Sequence, residues 1–219
     1  MTGGRRRLAP AGRAVEIRSH PPRAASCAAA RPLPAPISVA QSATVHHFDI
    51  QLADVDRGVY ETLALKVARH PSETEEYLLT RVLAYCLEHA EGLAFSRGLA
   101  EPDEPALAVR DLTGALRVWI DVGAPDAARL HKASKAAPRV AVYTHRDPAA
   151  LVRQLAGERI HRAEALELYG IDRDLLAALA ERLERRTAFD LSVTERQLYV
   201  TVGGRTLEGT VERHPLAQR

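Results

Sequence analysis

Cysteine is almost missing: Cys27 and Cys86 are the only two in 219 residues. Two such distant residues exclude a disulfide framework and any Cys-x-x-Cys metal knuckle. They point to a reducing compartment, the cytoplasm, with Cys86 acting as a small buried apolar residue inside a helix. No apolar run is long enough to span a bilayer, so a membrane is not among the expected partners. A glycine-rich phosphate loop and a nucleophile elbow are also lacking. The nine histidines never fall into His-x-x-His or His-Glu-x-x-His spacing, so His46, His47 and His70 are read as structural rather than as metal ligands or bases. Internal repeats are absent.

A strong net charge is lacking too, but the overall +2 hides an uneven split. Residues 1–42 hold seven arginines, no lysine and a single acid, Glu16, for a net +6. That leaves 23 basic and 27 acidic residues in 43–219, a net −4. A mildly acidic body is not the footprint of a strong non-specific nucleic-acid binder. Metal-dependent nuclease sites are themselves acidic, however, and the ion restores positive charge. The first 42 residues also carry six of the thirteen prolines and almost no periodic apolar pattern, so disorder is expected there. Three readings of this segment stand: a basic arm that touches nucleic acid, a transit peptide, and a start placed too far upstream, with translation beginning near Val39. Residues 43–219 are expected to form one domain.

Within that body the pattern predicts alternating strands over residues 45–52 and 60–68, joined by a turn at 54–58. A helix follows, with Ser72 as N-cap, Glu75 as its capping-box partner and Gly92 as its end. Leu78, Leu79, Val82, Leu83, Cys86 and Leu87 give it one buried face. Strands are predicted over 93–97, 107–111 and 116–122, the last nearly continuous in apolar residues as in a central strand. Pro125 opens a helix to about 136. A buried strand over 139–144, a helix over 148–155 and a short strand over 166–169 come next. Asp172 caps an amphipathic helix to about 185, and residues 188–211 read as a hairpin turning at Gly203-Gly204. The middle of the chain thus runs α-β-β-β-α-β, in a mixed α/β (α+β) fold.

Four polar stretches exceed what this pattern needs. Asp121 ends the most apolar strand, where a carboxylate is costly unless it is paired or holds a metal; ending the strand in solvent or capping the next helix is the alternative. Asp103 and Glu104 precede a neighbouring strand. Together with Asp121 they could converge on one Mg²⁺, which would lower the pKa of a bound water and stabilise charge on a phosphate; a solvated acidic loop is the alternative. Lys132, two turns into the next helix, could swing back over the strand end to orient the attacking water, or be an ordinary solvated lysine; Lys135, three residues on, is the lesser candidate for that role. Glu73 and Glu76 share a helix N-terminus, where acids are favoured by the dipole, and Glu73 could be a further site carboxylate.

These stretches resemble blocks of the YaeQ family. The similarity is carried by Ala53-Asp54-Val55-Asp56-Arg57, Arg69-His70-Pro71-Ser72-Glu73-Thr74, Phe95-Ser96-Arg97-Gly98-Leu99, Asp103-Glu104-Pro105, Trp119-Ile120-Asp121-Val122-Gly123, and the run from Pro125-Asp126 to Lys132-Ala133. They occur in the family's order and spacing, from about Ser42 to the C-terminus. The resemblance implies a core similar to PD-(D/E)XK nucleases, with added strands at both ends. In those enzymes an acid begins one strand and acid-x-Lys ends the next. Here Gly123 takes the lysine's place, and Lys132 would be a migrated lysine. Ala106 and Ala124 depart from the family pattern, which has an acid and a glutamine there. The expectation that follows is a Mg²⁺-dependent phosphodiesterase of DNA or RNA, with Glu104 and Asp121 as ligands, Asp103 as the alternate, Lys132 assisting the water and Glu73 supporting the site. The alternative is a non-catalytic protein that meets a protein partner on a nuclease-like scaffold.

Overall fold

The structure, a computed structural model, describes residues 43–96 and 103–216. The arginine-rich segment 1–42 and the Arg97-Gly98-Leu99 part of its motif lie outside the described residues. The first strands, β1 (Thr44–Asp54) and β2 (Val59–Arg69), form an antiparallel hairpin in register from Thr44↔Arg69 to Asp54↔Val59. Helix α1 (Glu75–Leu87) follows, then β3 (Leu93–Phe95), β4 (Leu107–Arg110), β5 (Leu116–Val122), α2 (Ala127–Ala136) and β6 (Arg139–Thr144). Next come α3 (Pro148–Leu155), β7 (Glu167–Ile171), α4 (Arg173–Ala180), β8 (Arg186–Thr194), β9 (Gln197–Val202) and β10 (Arg205–His214). From α1 to β6 the order is the α-β-β-β-α-β read from the pattern.

All ten strands belong to one mixed sheet in the order β2-β1-β8-β9-β10-β7-β6-β5-β4-β3. β5, β6 and β7 are parallel to one another, because α2 and α3 carry the chain back between them. β1 is parallel to β8, which ties the start of the described chain to its end. One face of the sheet wraps α1 and α4: Phe48, Leu63, Leu83, Ile120, Leu179 and Val200, from both halves of the sheet, share one core. The other face of β5–β7 is covered by α2 and α3 over Trp119, Leu130, Val142 and Leu168.

Several boundaries differ from the sequence reading. The N-cap of α1 is Thr74, whose hydroxyl accepts from Tyr77 N (3.2 Å); the Ser72 hydroxyl is taken by His70 Nδ1 at 2.7 Å. α1 is buried along Leu78–Ala84 and at Cys86 rather than on one face, because the sheet curls round it. It ends at Leu87, and Gly92 serves instead the turn into β3, where its φ of +80° and the Arg110 carbonyl, 1.9 Å from where a Cβ would sit, admit only glycine. Pro125 lies before the cap of α2, which is Asp126. α4 stops at Ala180, not near 185. The final segment is three strands, not one hairpin. The missed turn, Glu195–Arg196, contains no glycine, yet both residues have positive φ (51° and 62°). Cys86 is fully buried, and burial pushes its thiol up to about 12. Among the described residues no helix is long and apolar enough to cross a membrane.

Candidate functional site

The end of β5 gathers the residues singled out from the sequence. Side chains alternate along β5, so Ile120 and Val122 face α1 while Trp119 and Asp121 face α2. Asp121 is only 2% exposed. Its charge is met by Arg129, which the sequence reading passed over. Arg129 Nε donates to Asp121 Oδ2 (2.8 Å), and an Arg129 terminal nitrogen donates to Oδ1 (2.7 Å) and to the Glu104 carbonyl (2.7 Å). Such a bidentate fork is the strongest form of carboxylate recognition. The guanidinium also lies over the Trp119 ring, 5.7 Å from its centroid. Burial pulls the Arg129 pKa down, but the Asp121 carboxylate outweighs it and holds the guanidinium above its ordinary value. Asp126 sets the helix in place by accepting from Arg129 N at 2.8 Å.

Lys132, the next turn of α2, does not reach over the strand end. Its ammonium donates to Asp103 at 2.5 Å, and both side chains are exposed. That contact holds the Asp103 carboxyl below the usual range. Asp103 and Glu104 lie in the turn ahead of β4. Glu104 reaches Arg129 through its backbone, and the residue borders a shallow 350 Å³ pocket with Phe95, Pro105 and Arg110.

Glu73 precedes α1 instead of sharing a helix face with Glu76. It is 4% exposed, and both its oxygens accept from Arg81 at 3.1 Å. Arg69 Nε donates to the Glu73 carbonyl, and His70 N to its carboxylate. The Arg-His-Pro-Ser-Glu-Thr stretch is therefore a hydrogen-bonded corner that turns β2 into α1. Tyr77, on the first turn of α1, lies within electrostatic range of both ion pairs. Burial raises its pKa, with Arg81, Glu73, Asp121 and Arg129 all close enough to act on it. Gly123 packs here with φ +94°, its missing Cβ 3.2 Å from Tyr77 Cε2. A lysine following Asp121-Val122 would need both a left-handed backbone and that space.

The geometry thus brings Asp121 and the Glu104 backbone together through Arg129 at the end of β5, and pairs Lys132 with Asp103 instead. It also fills both oxygens of Asp121 and of Glu73 with guanidinium donors. Among the described residues no group of three or more His, Cys, Asp and Glu side chains is placed to hold a metal ion. As arranged, both oxygens of Asp121 are taken by Arg129, so this carboxylate offers a Mg²⁺ ion no oxygen without displacing a guanidinium donor.

Comparison with known proteins gives the same family throughout. The YaeQ protein family matches residues 39–211. The uncharacterised protein YaeQ of Salmonella typhi is 31% identical over 171 residues, covering 78% of this chain and 94% of that one. Its Escherichia coli (strain K12) counterpart is 30% identical over 172 residues, covering 78% and 94%. Among solved structures, YaeQ from Pseudomonas syringae has 32% identity and a TM-score of 0.70, covering 78% of this chain and 95% of that one. YaeQ from Xanthomonas axonopodis pv. citri has 31% identity and a TM-score of 0.73, covering 80% and 100%. The chain belongs to the YaeQ family.

Proposed function

We infer that this YaeQ-family chain is a non-catalytic interaction protein on a nuclease-like scaffold, its strand-end acid held by an internal guanidinium. The observation that carries the reading is the Arg129 fork on Asp121. A cation entering there would break two charge-assisted hydrogen bonds, each worth roughly 1.5–3 kcal/mol, and leave a guanidinium beside a dication. Ala106 supports the same view. It is 7% exposed and packed in the core, so a position from which an acid could join the site carries a methyl group. The test is direct. Freshly purified protein with Mg²⁺ or Mn²⁺ should cleave nothing in a mixed DNA and RNA panel, and Mg²⁺ should not raise its melting temperature. Metal-dependent cleavage that disappears in Asp121→Ala, with the fold intact, would overturn the reading.

A second reading is favoured by the element order. What supports it is the order of α1 to β6 with Asp121 near the end of β5, the position that the resemblance gives to a PD-(D/E)XK acid. On this reading the chain is a Mg²⁺-dependent phosphodiesterase of DNA or RNA. Glu104 and Asp121 are the ligands, Asp103 the alternate, Lys132 the water-orienting group and Glu73 the support. Arg129 is then a lock on the resting site. Arg129→Gln separates the two readings, because a locked site gains a Mg²⁺-dependent rise in melting temperature when the fork is removed, and a site with no metal role does not.

A further inference from the structure

At the carboxyl ends of β6 and β7 lies a groove of about 870 Å³, bordered by the first turns of α3 and α4. Parallel strands with helices starting beside them open their ligand crevices at this edge. Gly170 keeps the floor low: a methyl there would sit 2.5 Å from Pro148 Cγ and 3.3 Å from His214 Nε2.

Two arginines border the groove, Arg146 just after β6 and Arg173 at the start of α4. Both are exposed, and among the described residues neither guanidinium meets a carboxylate or a carbonyl. Most carboxylates around them are engaged. Asp147 accepts from Ala149 N at 2.9 Å, and Asp172 from Asp174 N and Leu175 N at 2.8 and 3.1 Å. Glu212 stands 3.8 Å from His214 Nε2, and a backbone N–H and the Thr74 hydroxyl hold Glu76 below its ordinary pKa. Asp174 is exposed on the first turn of α4.

Near both arginines sits His145, its ring edge-on to Tyr77 with centroids 5.8 Å apart. Its Nδ1 is buried without a hydrogen-bond partner, an arrangement proteins rarely leave unmet. Burial, then Arg146 and Arg173, depress the His145 pKa, with Glu76 opposing. Two guanidiniums without a carboxylate or carbonyl partner thus border the same groove as an imidazole with an unmet buried nitrogen.

We propose that Arg146, Arg173 and His145 form a binding site for the phosphate group of a phosphate ester. Guanidinium forks match phosphate oxygens in pairs, and the volume suits a ligand of nucleotide size. The same chemistry serves a small phosphorylated molecule or a nucleic-acid backbone. The site uses none of the residues at the β5 end, so it stands whether or not Asp121 takes part in catalysis.

The test titrates the full chain by calorimetry with inorganic phosphate, AMP and a twelve-nucleotide single strand. Wild type is compared with Arg146→Gln/Arg173→Gln, and with Arg205→Gln as a control in a separate pocket. At least one probe should bind wild type, and its Kd should rise tenfold or more in the double variant only. The His145 ring signal, assigned by its loss in His145→Gln, should shift on binding and titrate at higher pH. Binding of AMP or phosphate names a small phosphorylated ligand, whereas binding of the oligonucleotide alone names a nucleic-acid phosphate. The two single variants, each expected to weaken binding severalfold, serve if the double variant melts early. No binding by any probe, or binding undiminished when the arginines are removed, overturns the proposal.

Discussion

At Asp121 the cost of burying a carboxylate is met by Arg129, and at Glu73 by Arg81. The second pair is the deeper, with side chains 1% and 3% exposed. Burial of this kind makes the partners unequal to their sum: removing one leaves a charge that cannot return to water, while removing both can be nearly neutral. Arg81→Met should therefore cost about 3–5 kcal/mol in urea unfolding. Adding Glu73→Leu should recover part of that loss rather than double it. If the double variant is as unstable as the sum of the single ones, the Glu73 carboxylate acts through the His70 N contact of its corner and not through Arg81.

Turns decide how the elements of the C-terminal half connect. The Glu195–Arg196 pair closes β8 onto β9 with both φ values positive, as a two-residue hairpin of the I′ kind demands. Asp56, from the turn between β1 and β2, accepts from Glu195 N at 2.7 Å and Arg196 N at 2.9 Å, so one loop clamps the other. Those hydrogen bonds use backbone donors and survive a side-chain change. Replacing Glu195-Arg196 by Asn-Gly should thus relieve left-handed strain and stabilise the protein by about 1 kcal/mol, raising Tm by roughly 2–4 °C. A fall in Tm would mean that the Glu195 or Arg196 side chain holds the turn.

The same turn shows what pattern reading can reach. β5, β6 and α3 were legible to the residue because short, nearly continuous apolar runs and a proline at the helix start leave little choice there. Glu195-Arg196 was not, since its strain comes from strand pairing and not from a turn-forming residue. Ser72 and Thr74 are equally good caps by type, and only the competing bond to His70 decides between them. In the candidate site Asp121 was legible as a buried acid on an apolar strand. Its partner was not, because Arg129 and Lys132 sit one turn apart on α2, and the rotation of that helix against the sheet decides which cation arrives. His145 and its arginines left no signal, as Arg173 reaches the His145-Arg146 pair from the start of another element, α4.

For the body as a whole, the question is whether two packed layers on one sheet behave as one. Trp119 is the only tryptophan and reports on the outer layer under α2, while Cys86 reports on the core wrapped around α1. β5 and β6 contribute to both layers, with Ile120 and Ala141 on one side and Trp119 and Val140 on the other. β1 paired with β8 joins the N-terminal hairpin to the C-terminal strands. Shared strands couple the layers, so unfolding should be a single cooperative step. In a Cys27→Ser chain, whose one remaining thiol is pushed up to about 12 by burial, labelling at pH 8 requires exposure of Cys86. Urea titrations followed by Trp119 fluorescence and by Cys86 labelling should share one midpoint. If fluorescence changes well before the thiol is exposed, α2 and α3 detach as a separate unit, and the Asp121–Arg129 fork, which bridges β5 and α2, opens with them.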